Sequence, residues 1–289
     1  MNSFEKAWHG FDAWQQKRKS VGFIVAVIKK YSDDQAGYKA ALLTYYGFLS
    51  LFPLLLLLTT LTSNFLGNHS NASNTIIHGI TSYFPLLGNQ LSSHVHSLHR
   101  SGLALVASLL FIIYGTRGVA DAFRHGVQDI WGIPKSQQTN WAQSLLRSFG
   151  LVVIGGLGFL LAAVIAGIAW NAGHGLEFKV FSIVINFIIL FWLFLFLINF
   201  SLPRHVTIHE IQVGAITAAI GLVLLQTLGG YLLARELKNL DALYSYFAVA
   251  LGLLFWIYLQ AQVLFYALEA GVVSNQRLHP KSLITNRDS

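Results

Sequence analysis

Six stretches of the chain are predominantly apolar over twenty residues or more: 40–66, 103–127, 145–170, 180–202, 211–234 and 243–273. An α-helix rises about 1.5 Å per residue, so about 20 such residues cross the roughly 30 Å hydrocarbon core of a bilayer. Each stretch therefore predicts a membrane-spanning helix. The first is too long, and too far from the start of the chain, to be a cleaved signal peptide. The segments between them are short except for 67–102 (36 residues), so no soluble domain fits there.

Ahead of the first stretch the pattern changes. Phe4, Trp8, Phe11 and Trp14 recur at helical spacing, with Lys6, Asp12 and the run Lys17-Arg18-Lys19 around them. This suits an amphipathic helix lying in the cytoplasmic interface against anionic headgroups, or a cover packed on the bundle. The apolar run 21–28 is too short to span and continues that helix against the membrane or the bundle. The expected architecture is all-α: a polytopic membrane protein of six transmembrane helices with an N-terminal interfacial amphipathic helix. Its parts are a cytoplasmic segment 1–39, a transmembrane domain 40–273 with a large outer loop 67–102, and a cytoplasmic tail 274–289.

Composition agrees. Of 289 residues 54% are hydrophobic and 11% charged, with mean hydropathy +0.56. A soluble domain carries about a quarter charged residues, so an ordinary cytosolic enzyme is excluded. There is no cysteine, hence no disulfide, thiolate metal site or cysteine nucleophile. The net charge of +7 and pI near 9.6 invite a nucleic-acid reading. The placement of the charges argues for a membrane instead. Lys6, Lys17, Arg18, Lys19, Lys29, Lys30 and Lys39 precede the first stretch, Lys135 and Arg204 fall in the second and fourth loops, and Arg277, Lys281 and Arg287 in the tail. Arg100, Lys179, Arg235 and Lys238 lie on the opposite side. Loops rich in Lys and Arg stay in the cytoplasm, which predicts a multi-pass protein of the bacterial inner membrane with both termini inside.

Few charges fall within the spans. Arg117, Asp121 and Arg124 sit at i, i+4 and i+7, on one helix face, with His125 beside them. Ionisable groups inside a membrane segment face the bundle interior or a wet cavity and have a partner; snorkelling to the interface is the simpler reading for Arg124. Glu269 is the expected second partner of these arginines, since an unpaired carboxylate in lipid is prohibitively costly. Gln262 precedes it on the same face, with Tyr258 a turn above, and Thr44, Tyr45 and Ser50 of the first span add polar groups. A polar, substrate-binding cluster of Arg117, Asp121, Arg124, Glu269, Gln262, Tyr45 and Thr44, open to the inner leaflet, follows.

Other features read as structure. Pro53 removes a backbone hydrogen bond mid-span, and Pro203 ends the fourth span. Gly155, Gly156 and Gly158, and likewise Gly214, Ala218 and Gly221, make small-residue packing faces. Asn186, Asn199 and Gln226 read as interhelical hydrogen bonds. His94, His96 and His99 lack a carboxylate partner, so no metal is expected there. Asn68 and Asn71 begin glycosylation-like triplets that matter only in a eukaryotic secretory context. No phosphate-binding loop, hydrolytic carboxylate pair or Ser/His/Asp pattern is present, so neither enzymatic activity nor a cofactor is expected.

Four ordered blocks resemble the YihY/BrkB family of bacterial inner-membrane proteins, over roughly residues 20–275. They are the Thr44-Tyr45-Tyr46-Gly47 helix ending at Pro53; Tyr114-Gly115 with Arg117, closing at Asp129-Ile130-Trp131-Gly132; Leu202-Pro203 with Gly214-Ala215; and Trp256-Ile257-Tyr258 through Leu268-Glu269-Ala270. The chain departs from the family in having Ala267-Leu268 before Glu269, where Gly-Ala is common, and Gln128-Asp129 where Asn is common. Members were once mislabelled ribonuclease BN, a tRNA-processing nuclease; the absence of an acidic metal-binding cluster in this sequence agrees that nuclease action ranks last. The resemblance implies an envelope protein that moves amphiphiles. The leading expectation is a transporter or flippase for a lipid or other amphiphile, with membrane lipids as partners, an anionic lipid or glycolipid as substrate, homo-oligomers allowed and no nucleic acid. A non-transporting envelope scaffold is the alternative.

Overall fold

The computed structural model describes residues 19–65, 102–134, 141–171, 176–203, 207–236 and 242–276. Their regular elements are seven helices: α1 (Lys19–Asp33), α2 (Ala36–Phe65), α3 (Gly102–Ile130), α4 (Trp141–Asn171), α5 (Leu176–Ser201), α6 (Ile208–Glu236) and α7 (Ala242–Asn275). The six long helices coincide with the six apolar stretches, and α2 continues through Pro53. Phe4, Trp8, Phe11 and Trp14, residues 67–101 of the large loop with its histidines and Asn triplets, and the tail beyond Gln276 lie outside the described residues.

Among the described residues three helices are long and apolar enough to cross a membrane: Val180–Ser201, Ile208–Gly229 and Ala250–Asn275. On α4 the described apolar stretch Leu146–Phe159 is shorter. The helices form a closed ring, with α2 on α3, α3 on α4 and α5, α5 on α6, α6 on α7 and α7 back on α2. α7 also reaches α3 across the interior, and α1 lies along α7. Large apolar side chains face outward on four of these helices: Leu146, Phe149 and Leu157 on α4, Phe181, Ile188 and Trp192 on α5, Ile220 and Leu224 on α6, Phe255 on α7. Arg124, Gln128 and Glu269 are buried. An apolar exterior around a partly polar interior suits lipid as the solvent.

Small residues set the helix spacing. A Cβ on Gly271 would lie 3.1 Å from the Gly214 backbone, so α6 and α7 touch main chain to main chain. A Cβ on Gly118 of α3 would fall 2.2 Å from the Tyr46 ring, so that glycine seats an α2 tyrosine. At mid-bundle Asn186 of α5 donates to Gln226 of α6 at 3.0 Å, the interhelical bond anticipated for these two residues.

α3 stops through its own sequence. Gly132 has φ +67°, Ile133 N–H donates to Gln128 O at 2.9 Å, and Gly132 N–H donates to Asp129 O at 3.0 Å. This is a Schellman cap, in which glycine accepts the left-handed conformation at no Cβ cost. The α1–α2 turn has no such residue: Gln35 sits at φ 50°.

Candidate functional site

The expected single polar cluster is two separate ones. The first is built on α3. Asp121 is its hub: Arg117 Nε lies 3.5 Å from Oδ2, Arg124 Nη2 donates to Oδ1 at 3.3 Å, and Ser148 Oγ of α4 donates to the same Oδ1. The two arginines meet different surroundings. The Arg117 side chain is 49% exposed, Asp121 30% and Arg124 only 3%. A three-residue step from Asp121 to Arg124 turns that side chain toward the ring interior, while the four-residue step back to Arg117 stays on the outer face.

That outer face is a continuous stripe. Tyr114, Arg117, His125 and Asp129 are exposed and Asp121 partly so, at successive steps of three or four residues along one side of α3. From Arg117 to Asp129 the stripe rises about 18 Å at 1.5 Å per residue. His125 Nδ1 donates to its own helix at Asp121 O, 2.7 Å away, which leaves Nε2 outward. Asp129 meets Lys39 of α2 at 3.8 Å. Flanking the upper part, Tyr45, Tyr46 and Tyr114 form an edge-to-face series with centroids 5.2 and 6.1 Å apart. Beyond Ser148, α4 presents the exposed apolar side chains Leu146, Phe149 and Val153.

The second cluster joins α1 to α7. Glu269 has no exposed surface, and its charge partner is Lys30 Nζ at 3.0 Å from Oε2. The expected pairing of Glu269 with Arg117 or Arg124 is therefore corrected: the cation comes from α1. Lys30 also binds Asp34 and donates to Ile130 O at 3.2 Å, one of the carbonyls that the end of α3 leaves without an intrahelical partner. Next to it Tyr31 donates to Gln262 Oε1, Gln262 donates to the Tyr258 hydroxyl, and the Tyr31 ring stacks on Tyr266 at 3.9 Å. Burial pushes the Tyr31 hydroxyl above its ordinary range, and Tyr266 and Tyr258 reinforce this. So Gln262 and Glu269 share a site, but not with the arginines. Thr44 is buried and donates to Ala40 O at 2.7 Å, within its own helix. Tyr45 is exposed beside Tyr46.

Lys30 and Tyr31 were legible in principle. They continue the face Phe23, Ala26, Val27 at helical spacing, and a lysine on a buried face needs an anion. Ser148 carried no signal. Among the described residues no group of three His, Asp or Glu side chains could hold a metal.

Long apolar helices, an apolar exterior and buried ion pairs define an α-helical membrane protein. Residues 27–288 match the family model described as "Virulence factor BrkB". The chain belongs to the BrkB family, the one its four sequence blocks resemble. It is similar to "Inner membrane protein YhjD" of Escherichia coli (strain K12), 22% identical over 282 residues, covering 86% of this chain and 79% of that protein. No solved structure matches it.

The family-like blocks have structural reasons. Asp129-Ile130-Trp131-Gly132 is the α3 cap. Gly115 lies where a Cβ would be 2.7 Å from Ser50, so the second block packs against the first. Gln128, next to that cap, is fully buried and donates to Ser201 O at 2.7 Å.

Proposed function

We propose that this protein crosses the bacterial inner membrane six times with both termini in the cytoplasm, and carries the headgroup of an anionic lipid or glycolipid along the exposed stripe of α3 while the acyl chains stay in the bilayer. The single observation that carries this reading is the stripe itself: Tyr114, Arg117, Asp121, His125 and Asp129 on the outside of a helix whose neighbour α4 presents Leu146, Phe149 and Val153. A half-exposed arginine in the middle of a 29-residue helix is costly against acyl chains and favourable against a phosphate. Asp121, shared by two arginines, orients Arg117 without cancelling the charge of the group. The lengths of α2, α3 and α4, at 30, 29 and 31 residues, support six spans, as does the apolar outer face of α4. The excess of Lys and Arg at the α1 end supports the orientation. Catalysis and a cofactor have no part in this reading, and membrane lipids are the partners.

The test is translocation of labelled phosphatidylglycerol in vesicles containing the purified chain, parent against Arg117→Ala. A several-fold loss of rate is expected. An unchanged rate sinks the headgroup role and favours the scaffold reading, for which the sealed Lys30–Glu269 cluster is the relevant observation. Single cysteines at Ser32 and Gln276, in a chain that has none, report orientation: both are expected to resist an impermeant reagent until cells are opened.

A further inference from the structure

Glu269 is fully buried, and its neighbours Phe265, Leu268, Val272 and Val273 are apolar and buried. Lys30 reaches it at 3.0 Å, yet neither carboxylate oxygen has an aligned hydrogen bond. Lys30 keeps Asp34 and Ile130 O as further partners, but among the described residues the carboxylate has no other compensation. The pair is therefore finely balanced: the attraction must offset the desolvation of Glu269. What else holds α1 to α7 is modest. The apolar contact is Ala26 and Val27 on Ala270 and Val273, with Phe23 at its edge, and the rest is the Tyr31 network. The outer face of α1 carries the exposed Ile24 and Ile28 between Ser20 and Ser32, which suits a helix that can leave α7 for the bilayer interface with those apolar side chains in lipid. The same helix is tied to the stripe. Lys39 Nζ donates to Asp34 O at 2.5 Å, at the α1–α2 turn, and lies 3.8 Å from Asp129 at the foot of the stripe.

We propose that α1 is a releasable strap: Lys30 and Glu269 latch it to α7, and its release draws Lys39 away from Asp129 and opens the foot of the α3 stripe. The strap controls the headgroup track and to that extent rests on that reading, but its movement is measurable without any transport.

Because the chain has no cysteine, spin labels can be placed at will on the full-length protein in phosphatidylethanolamine–phosphatidylglycerol vesicles. Labels at the exposed positions Ile24 and Asn275 report the α1–α7 distance by pulsed electron resonance, and a label at His125 reports water access to the stripe. In the parent a short-distance population is expected to dominate. Lys30→Met leaves Glu269 without its cation, and the long-distance population is expected to grow at least about tenfold while the His125 label becomes wetter. Glu269→Gln removes the same attraction from the other side and is expected to do likewise, so the question is answered if one variant fails to fold. Lys30→Met with Glu269→Gln removes both charges and is expected to return the distances toward the parent's. Parent-like distances in both single variants overturn the strap, and so do lengthened distances with an unchanged His125 label. Labelled phosphatidylglycerol translocation in Lys30→Met separates the two proposals. If the strap opens but the rate does not rise, the strap stands and the headgroup track fails.

Discussion

Arg117 and Arg124 lie seven residues apart on one helix and share one carboxylate, yet truncating them has opposite consequences. The Arg117–Asp121 pair, 3.5 Å apart at i,i+4 with Arg117 half exposed, behaves as a solvated surface pair once mild detergent lets water reach the outer face of α3. Such pairs contribute about 0.3–0.5 kcal/mol. Arg124 is almost wholly buried. Arg124→Ala removes two buried methylenes, about 1.6 kcal/mol at 0.8 kcal/mol each. It also removes a charged hydrogen bond to Asp121, about 1.5–3 kcal/mol. The expected loss is roughly 4 kcal/mol, which at about 2 °C per kcal/mol for a chain of this length lowers Tm by about 8 °C. Thermal unfolding followed by tryptophan fluorescence in mild detergent reads this directly. Arg117→Ala is expected within about 1 °C of the parent on the same scale, with its effect confined to lipid translocation. Equal losses of Tm in the two variants, or an Arg124→Ala protein as stable as the parent, refute the division into an outer and an inner arginine.

Three further outcomes follow from the same contacts. Lys30→Met alone strands the buried Glu269 carboxylate and is expected to cost about 3 kcal/mol, whereas adding Glu269→Leu recovers most of it, as thermal unfolding of the single and double variants will show. Gln35→Gly relieves a left-handed glutamine and is expected to be neutral or stabilising by up to about 1 kcal/mol, while Gln35→Pro, with φ held near −65°, costs about 3 kcal/mol or more; unfolding midpoints decide. Tyr31 has a hydroxyl whose proton is held more tightly in the folded state than in the unfolded one, so its contribution is intact below about pH 10 and is lost as pH rises beyond it. Tyr31→Phe is expected to cost about 1 kcal/mol at neutral pH, through the lost bond to Gln262, and to flatten the alkaline decline in a pH series of unfolding midpoints.

The helices were readable from the chain because their cause is local. Runs of about twenty apolar residues demand helices when the solvent supplies no hydrogen bonds, and α2 through α7 fall on those runs. Gly132 is local too: the cap after Asp129-Ile130-Trp131 closes through neighbouring backbone groups. The four charges Arg117, Asp121, Arg124 and Glu269 stood out for the same reason, each being anomalous within its own helix. Their partners were not readable. Helical spacing places Arg117 and Arg124 on a common face, but a face some 100° wide can straddle the boundary between interior and exterior, and only the seating of α4 decides which side each arginine meets. Glu269 required a cation, and sequence order offered the arginines of α3. The ring closure of α7 on α2 brings α1 and its Lys30 to that carboxylate instead.

A low charge content therefore determined by itself that the solvent is lipid, where helices run and which side chains need explaining. The allocation of those side chains into an exposed stripe on α3 and a sealed latch between α1 and α7 was decided by tertiary structure. Local periodicity sets the direction of a side chain about its own axis; which neighbour stands in that direction depends on contacts between residues far apart in the chain, such as Lys30 and Glu269, that no local pattern specifies.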